Sequence, residues 1–425
     1  MKALRLALSW TIALVLTGCG NSINMTSSSP GGGSGGSEGT GSGGSGTTGG
    51  SGSSGSSTSR GNEFLYATAS GGGGTIYAWQ IDASTGVLTP VSGEPFLANV
   101  GTENSRPCTT ACSTNLAADP LGRFLFLAYN LIGDGVDSLG VDATTGTLTN
   151  IANLPIPAGA IAVDPTGQYL YGTPPALTIG GAIHLYGYYV AANGHLSEVP
   201  GSPYALGSAP ASGSAVPEPP ALSSTDVFVN LTYQSVSSIA AFHISPSNGS
   251  LTTNIALGGA QVGVAPAVTP SAKYLYAAEP VYPNEGVGQY EIVPYSMGVD
   301  GTFTTLQWLA RVTPETAPFA ILMAPNGSFL YALGNRAMYD YEINEDTGAL
   351  SLIATYSASH GSWVVVDPAV KYVYLVPNRG AGDDASSDTI VGYKVNPATG
   401  ELSEIAGGAV TLPQSPISLA VVRPQ

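Results

Sequence analysis

Charge is scarce in this chain. Of 425 residues only 12 are Lys or Arg and 28 are Asp or Glu, so charged residues make up 9%, where an ordinary soluble domain carries about 25%. Long surface helices and coiled coils, which need Glu and Lys in bulk, are excluded. With a formal charge of -16 and no basic stripe, nucleic acid and anionic headgroups are excluded as electrostatic partners. Histidine occurs only at His184, His195, His243 and His360, without H-x-x-x-H or H-E-x-x-H spacing, so no zinc site is expected. Asp383, Asp384 and Asp388 lack EF-hand order and read as a solvated acidic loop. No Walker loop or dinucleotide fingerprint is present, so no cofactor is expected. What is abundant is Gly (57), Pro (31) and Tyr, which outnumbers Phe 22 to 9, a bias toward strands and tight turns. The class expected is all-β.

Met1 to Thr17 reads as an export signal, with Lys2 and Arg5 ahead of an apolar run, Leu6 to Leu16, too short to span a bilayer. It ends Leu16-Thr17-Gly18-Cys19, which resembles the bacterial lipobox. Residues 1–18 are then a signal peptide and Cys19 the lipidated N-terminus, which makes the lipid anchor the only membrane attachment. Gly20 after the Cys is not an inner-membrane retention signal, so the expected address is the cell envelope, at the outer membrane. From Thr26 to Arg60 every residue is Gly, Ser or Thr except Pro30, Glu38 and Arg60. Nothing there offsets the entropy of ordering, so residues 19–61 form a linker. The G-x-S-x-G string at Gly32 to Gly36 has no flanking strand or helix and is low complexity.

Residues 62–425 contain seven repeats. The recurring unit is an apolar strand ending x-Pro-x-Gly, an aromatic-rich strand, a variable loop, a further strand, and a turn before Gly-x-Leu-Thr/Ser. Ile161 to Tyr171 and Ile321 to Tyr331 are the clearest copies. Aligned aromatics fall at Tyr66, Phe126, Tyr171, Phe228, Tyr276, Tyr331 and Tyr374, and turn glycines at Gly86, Gly146, Gly194, Gly249, Gly301, Gly348 and Gly400. At about 52 residues each, the units have the size of four-stranded blades. Repeat 1 lacks its first strand, and the chain ends in an orphan apolar stretch, Ile417 to Val422. The expected fold is a seven-bladed β-propeller whose C-terminal strand completes the first blade and removes two open edges.

Antiparallel order places the short turns at one end of the ring and the long loops at the other, including the loop through Cys108 and Cys112 and the one from Asn378 to Asp388. A site belongs on the loop-rich end. Export favours oxidation of Cys108 and Cys112 to a disulfide. His184, His195 and His243 suit strand or turn positions. His360, ahead of an innermost strand, is the histidine placed for ligand binding or proton transfer.

The repeat, Pro-x-Gly-x-aromatic-Leu-Tyr with a following Thr-Gly-x-Leu-Ser, resembles the lactonase family of seven-bladed propellers. That group includes bacterial 6-phosphogluconolactonase and fungal carboxymuconate-lactonising enzymes, and YVTN-type surface propellers share much of its motif. The resemblance implies reactive residues at the channel mouth. They map to Glu279 after Tyr276, to Asn335 and Arg336 after Tyr331, and to Asn378 and Arg379 after Tyr374. Arg336 or Arg379 would hold a carboxylate or developing oxyanion and Glu279 would move a proton. Leu322 stands where the family has an innermost-strand His. Two functions therefore stay open. One is a monomeric envelope module binding a glycan, a peptide or an envelope protein. The other is a lactone hydrolase or isomerase acting on a small anionic sugar lactone.

Cys19→Ala is expected to abolish fatty-acid labelling and to leave the protein unprocessed or released. Labelling that survives the substitution would refute the lipobox.

Overall fold

The computed structural model describes residues 62–69, 74–98, 114–129, 135–156, 159–174, 182–208, 219–233, 236–259, 265–281, 289–298, 302–306, 314, 318–334, 337–356, 361–377 and 388–425. Their secondary structure consists of β-strands in seven antiparallel sheets. The innermost strands, in blade order 1 to 7, are Pro416–Val422, Thr114–Ala118, Ala160–Val163, Ala221–Leu222, Ala267–Val268, Pro318–Met323 and Gly361–Val366. Each touches the next, and the seventh touches the first, so the ring closes. The seven-blade expectation holds, and so does its closure. Pro416–Val422 pairs antiparallel with Glu63–Ala69, with Phe64 opposite Val422 and Tyr66 opposite Ala420. An ion pair of Arg423 Nε with Glu63 Oε1 at 3.3 Å marks the seam.

Apolar surface is buried in seven slabs, one between each pair of neighbouring blades. Leu65, Trp79, Tyr372 and Tyr374 belong to the slab between blades 7 and 1. Phe64, Tyr66, Leu125 and Leu127 belong to the one between blades 1 and 2. Alternation on the second strand explains both memberships, because odd and even residues point at opposite neighbours. Each fully buried large side chain contributes about 2 kcal/mol.

The repeated aromatics and glycines meet across these slabs. Tyr66 donates its hydroxyl to the Gly146 carbonyl of the next blade at 2.8 Å, Tyr171 to Gly249 at 2.7 Å, Tyr276 to Gly348 at 3.0 Å and Tyr374 to Gly86 at 2.8 Å. Phe126 has no hydroxyl, and there Ser138, directly opposite it, donates to Gly194 at 2.6 Å instead. Gly249 shows why the turn residue is glycine. Its φ is +70°, and a Cβ there would lie 2.3 Å from the Tyr169 ring. Gly301 lies outside the described residues.

The outer strand departs from the simple four-strand expectation in blades 1, 3 and 7, where it runs in two pieces, Leu88–Pro90 with Phe96–Leu97, Leu196–Glu198 with Tyr204–Ser208, and Leu402–Glu404 with Val410–Thr411. Between the pieces the amides of Val91, Val199 and Ile405 donate to Ala78, Gly187 and Gly392. These three small residues leave room for the neighbouring tyrosine ring. A Cβ on Gly187 would meet Val199 at 2.7 Å and the Tyr171 ring at 3.0 Å.

Tyr171→Phe is expected to cost about 1 kcal/mol. Gly249→Ala is expected to cost more, since it adds left-handed strain of about 1–2 kcal/mol to a clash with Tyr169. Urea midpoints measure both. Deleting Ile417 to Gln425 should expose two sheet edges and cause aggregation, and a monomeric truncation with an unchanged Tm would contradict the closure.

Candidate functional site

The two ends of the ring carry different chemistry. At the short-turn end, side chains cap backbone. Asp164 accepts the amides of Thr166, Gln168 and Tyr169 at 3.0, 2.9 and 2.7 Å. All five described Lys and Arg residues, Arg123, Lys273, Lys371, Lys394 and Arg423, sit at this end. Arg123 spans Asp119 at 2.6 Å and the Gly167 carbonyl at 2.8 Å, so its charge serves the turn rather than a ligand.

At the loop-rich end the described strand termini carry acids instead: Asp137, Glu279, Glu291 and Asp388. Glu279 lies within the second strand of blade 5, Tyr274–Val281, not in a loop beyond it. It is half-buried and directly opposite Glu291 of the third strand, Gln289–Met297. The Tyr295 hydroxyl donates to the Glu279 carboxylate. Tyr295 pairs with Leu275, so its side chain must lie along the sheet to reach Glu279. It packs in the slab that holds Ala277, Val293 and, from blade 4, Phe228 and Ile239. Asn230 of blade 4 is buried near the same end of its strand. Carboxylates held this way accept hydrogen bonds from hydroxyl-rich ligands.

A second polar cluster lies at the loop-rich end of blade 2. The Asn153 amide donates to the Tyr129 hydroxyl and to Asp137 Oδ1 at 2.5 Å, and Asp137 is fully buried. Gly135 backs the cluster, because a Cβ there would lie 2.5 Å from the Tyr129 hydroxyl. Sequence reasoning missed both Tyr295 and this trio. Their signal is register: Leu127 opposite Asp137, and Asp137 opposite Asn153. Spacing along one strand does not contain it.

The seven innermost strands contain no Asp, Glu, His, Lys, Arg, Cys or Tyr. Two of their polar side chains bind neighbouring backbone. Ser418 Oγ accepts the Leu116 amide at 3.0 Å, and Asn115 Oδ1 accepts the Ile161 amide at 2.8 Å. Leu322, half-buried on the innermost strand of blade 6, packs with Tyr331 and Val364. Among the histidines, His184 lies on a strand beside the Tyr186 ring, His195 is exposed in a turn, and His243 Nδ1 is 3.3 Å from Asp226 Oδ1 at the short-turn end.

Most of the expected site residues, Asn335, Arg336, His360, Asn378 and Arg379, lie outside the described residues, as do Cys19, Cys108, Cys112, Asp383 and Asp384. Around the first pair, the Gly334 amide donates to the Ala337 carbonyl at 2.8 Å and closes the hairpin. Asp388 accepts the Ser415 hydroxyl at 2.8 Å, which ties two connections of the loop-rich end together. No group of acids, histidines or cysteines among the described residues could hold a metal ion.

The chain matches no known protein-family profile and no curated protein. Solved structures do match. A candidate 6-phosphogluconolactonase from Bacteroides fragilis aligns at 16% identity and TM-score 0.61, over 86% of this chain and 99% of that one. One from Bacteroides uniformis aligns at 19% and 0.60, over 85% and 100%. The periplasmic gluconolactonase of Pseudomonas aeruginosa aligns at 15% and 0.59, over 85% and 99%. At these identities the likeness is one of fold.

Asn153→Ala should destabilise the protein by about 2 kcal/mol, because it takes a donor from the buried Asp137. Tyr129→Phe should cost less. Urea titration distinguishes the two.

Proposed function

We propose that this chain is a lactonase-type propeller that works as an extracytoplasmic binding module, held to the envelope by lipid on Cys19 and presenting its loop-rich end to a glycan, a peptide or an envelope protein. The observation that carries the reading is the composition of the channel wall. Seven innermost strands without a titratable side chain supply no proton carrier there, and proton transfer is what lactone chemistry needs of its catalyst. Recognition needs less. Acceptors at strand ends, such as the Glu279 carboxylate steadied by Tyr295, suffice to bind hydroxyl groups, and hydroxyl-rich glycans are the ligand class they suit best. The export signal agrees, because phosphorylated sugars are intracellular substrates.

A second reading is favoured by the fold shared with the Pseudomonas aeruginosa periplasmic gluconolactonase, a protein named for lactone chemistry outside the cytoplasm. In it Arg336 or Arg379 holds the developing negative charge and Glu279 moves the proton.

The two readings part on one experiment. Wild type, Arg336→Ala, Arg379→Ala and Glu279→Gln are assayed on a panel of aldonolactones, with each Tm recorded, and the same proteins are titrated with envelope glycans. Binding that weakens in Glu279→Gln, with no wild-type turnover above background, is the expected result. Wild-type turnover that falls about 100- to 1000-fold in one Arg variant at unchanged Tm would establish the enzyme instead.

A further inference from the structure

The third strand of each blade places one residue directly opposite the aligned aromatic. In six blades it is small or a compact ring: Ala78, Ser138, Gly187, Ala241, Pro294 and Gly392. In blade 6 it is Asp340, opposite Tyr331, and both are fully buried. Blade 6 also lacks the hydrogen bond that blades 1, 2, 3, 5 and 7 make to the next blade's glycine. Gly400 of blade 7 still docks on the aromatic beneath it, with a Cβ there falling 2.4 Å from the Phe329 ring. The Tyr331 hydroxyl, however, has no hydrogen-bond partner, and neither carboxylate oxygen of Asp340 has one.

The surroundings offer an ionised Asp340 nothing. Its slab holds Leu333, Met338, Val364 and Val366. The titratable groups it acts on are the phenols of Tyr331 and Tyr356, and beyond these lie Tyr393 and, across the interface, the carboxylates of Asp367, Glu401 and Glu404. The nearby cation, Lys371, interacts with Asp367 and points its ammonium at the Ala83 carbonyl, 3.5 Å away. Asp367 is also raised by burial, but it accepts the amides of Tyr372, Lys371 and Ala369. Asp340 has no such donors, and burial pushes it up to about 7. A neutral carboxylic acid carries one O–H donor, the capacity that Ser138 uses in blade 2.

We propose that Asp340 is a proton-operated joint between blades 6 and 7: the closed ring carries it as the neutral acid, and its ionisation loosens that interface. Below the unfolded pKa of 3.8 both states hold the proton, so nothing is lost. Between 3.8 and about 7 the unfolded chain gives up its proton and the folded one keeps it, so stability falls as pH rises. Above about 7 the loss levels off, at roughly a thousandfold in the folding equilibrium.

Thermal melts of the full chain as wild type, Asp340→Asn and Asp340→Ser, from pH 4.5 to 8.5, test this. Both variants should melt above wild type at pH 8.5, and the gap should shrink toward pH 4.5. Hydrogen exchange at pH 8.5 should place the excess opening of wild type in Phe329–Ile343 and Tyr372–Val395 rather than in the other blades. Ser138→Asp should carry the same pH dependence into the blade 2–3 interface. If the Asp340 variants do not fold, isotope-edited infrared titration of the wild-type carboxyl decides. An acid still protonated at pH 6 supports the joint. A carboxylate already formed at pH 5, or a stability gap independent of pH, overturns it.

Discussion

A glycine turn from one blade rests on two aromatic rings of the blade before it and gives its carbonyl to a hydroxyl there. Gly146 lies against Phe64 and accepts from Tyr66, and Gly249 lies against Tyr169 and accepts from Tyr171. The contact needs positive φ, no Cβ, a flat ring and a donor at fixed depth, so residue types at four positions are coupled across each slab. Substitution at one position is answered at another, as when Phe126 loses the hydroxyl and Ser138, on the partner strand, supplies it. The described interfaces are therefore held by similar local joints rather than by one core, and such an array is free to differ locally without changing its architecture.

Burying the aromatic joints toward the short-turn end leaves the opposite ends of the strands for polar groups. Described cations gather at the turns, where Arg123 and Lys273 bind backbone carbonyls. Described acids occur at both ends: Asp119 and Asp164 cap the short turns, and Asp137, Glu279, Glu291 and Asp388 lie at the loop-rich end, off the innermost strands. Glu279 with Tyr295, and Asp137 with Asn153, are held by neighbours on adjacent strands. The described polar contacts at this end lie between adjacent strands of one blade and are rich in acceptors.

Much of the fold was legible before any coordinates. The aligned aromatics, the turn glycines and the divided first repeat predicted seven blades and their closure, because each is a local requirement with a local residue. Far less of the site was legible. Glu279 could be picked out through the family resemblance, but Glu291 and Tyr295 become its neighbours only through a hairpin that sets Val281 opposite Gln289. Asp340 was unremarked for the same reason: an Asp on a strand is ordinary until pairing places it opposite Tyr331, inside a slab.

By itself the sequence determined the all-β class, the number of blades, the sorting of short turns and long connections to opposite ends, and the strand that closes the ring. Those follow from φ preferences, strand alternation and chain order, which act over a few residues. Which polar groups share a slab, which hydroxyl meets which carbonyl, and which carboxyl is left without a donor were decided only by the tertiary structure. Such contacts join residues on different strands, as with Tyr374 and Gly86 at opposite ends of the chain, and their energies depend on register and burial that no single segment encodes.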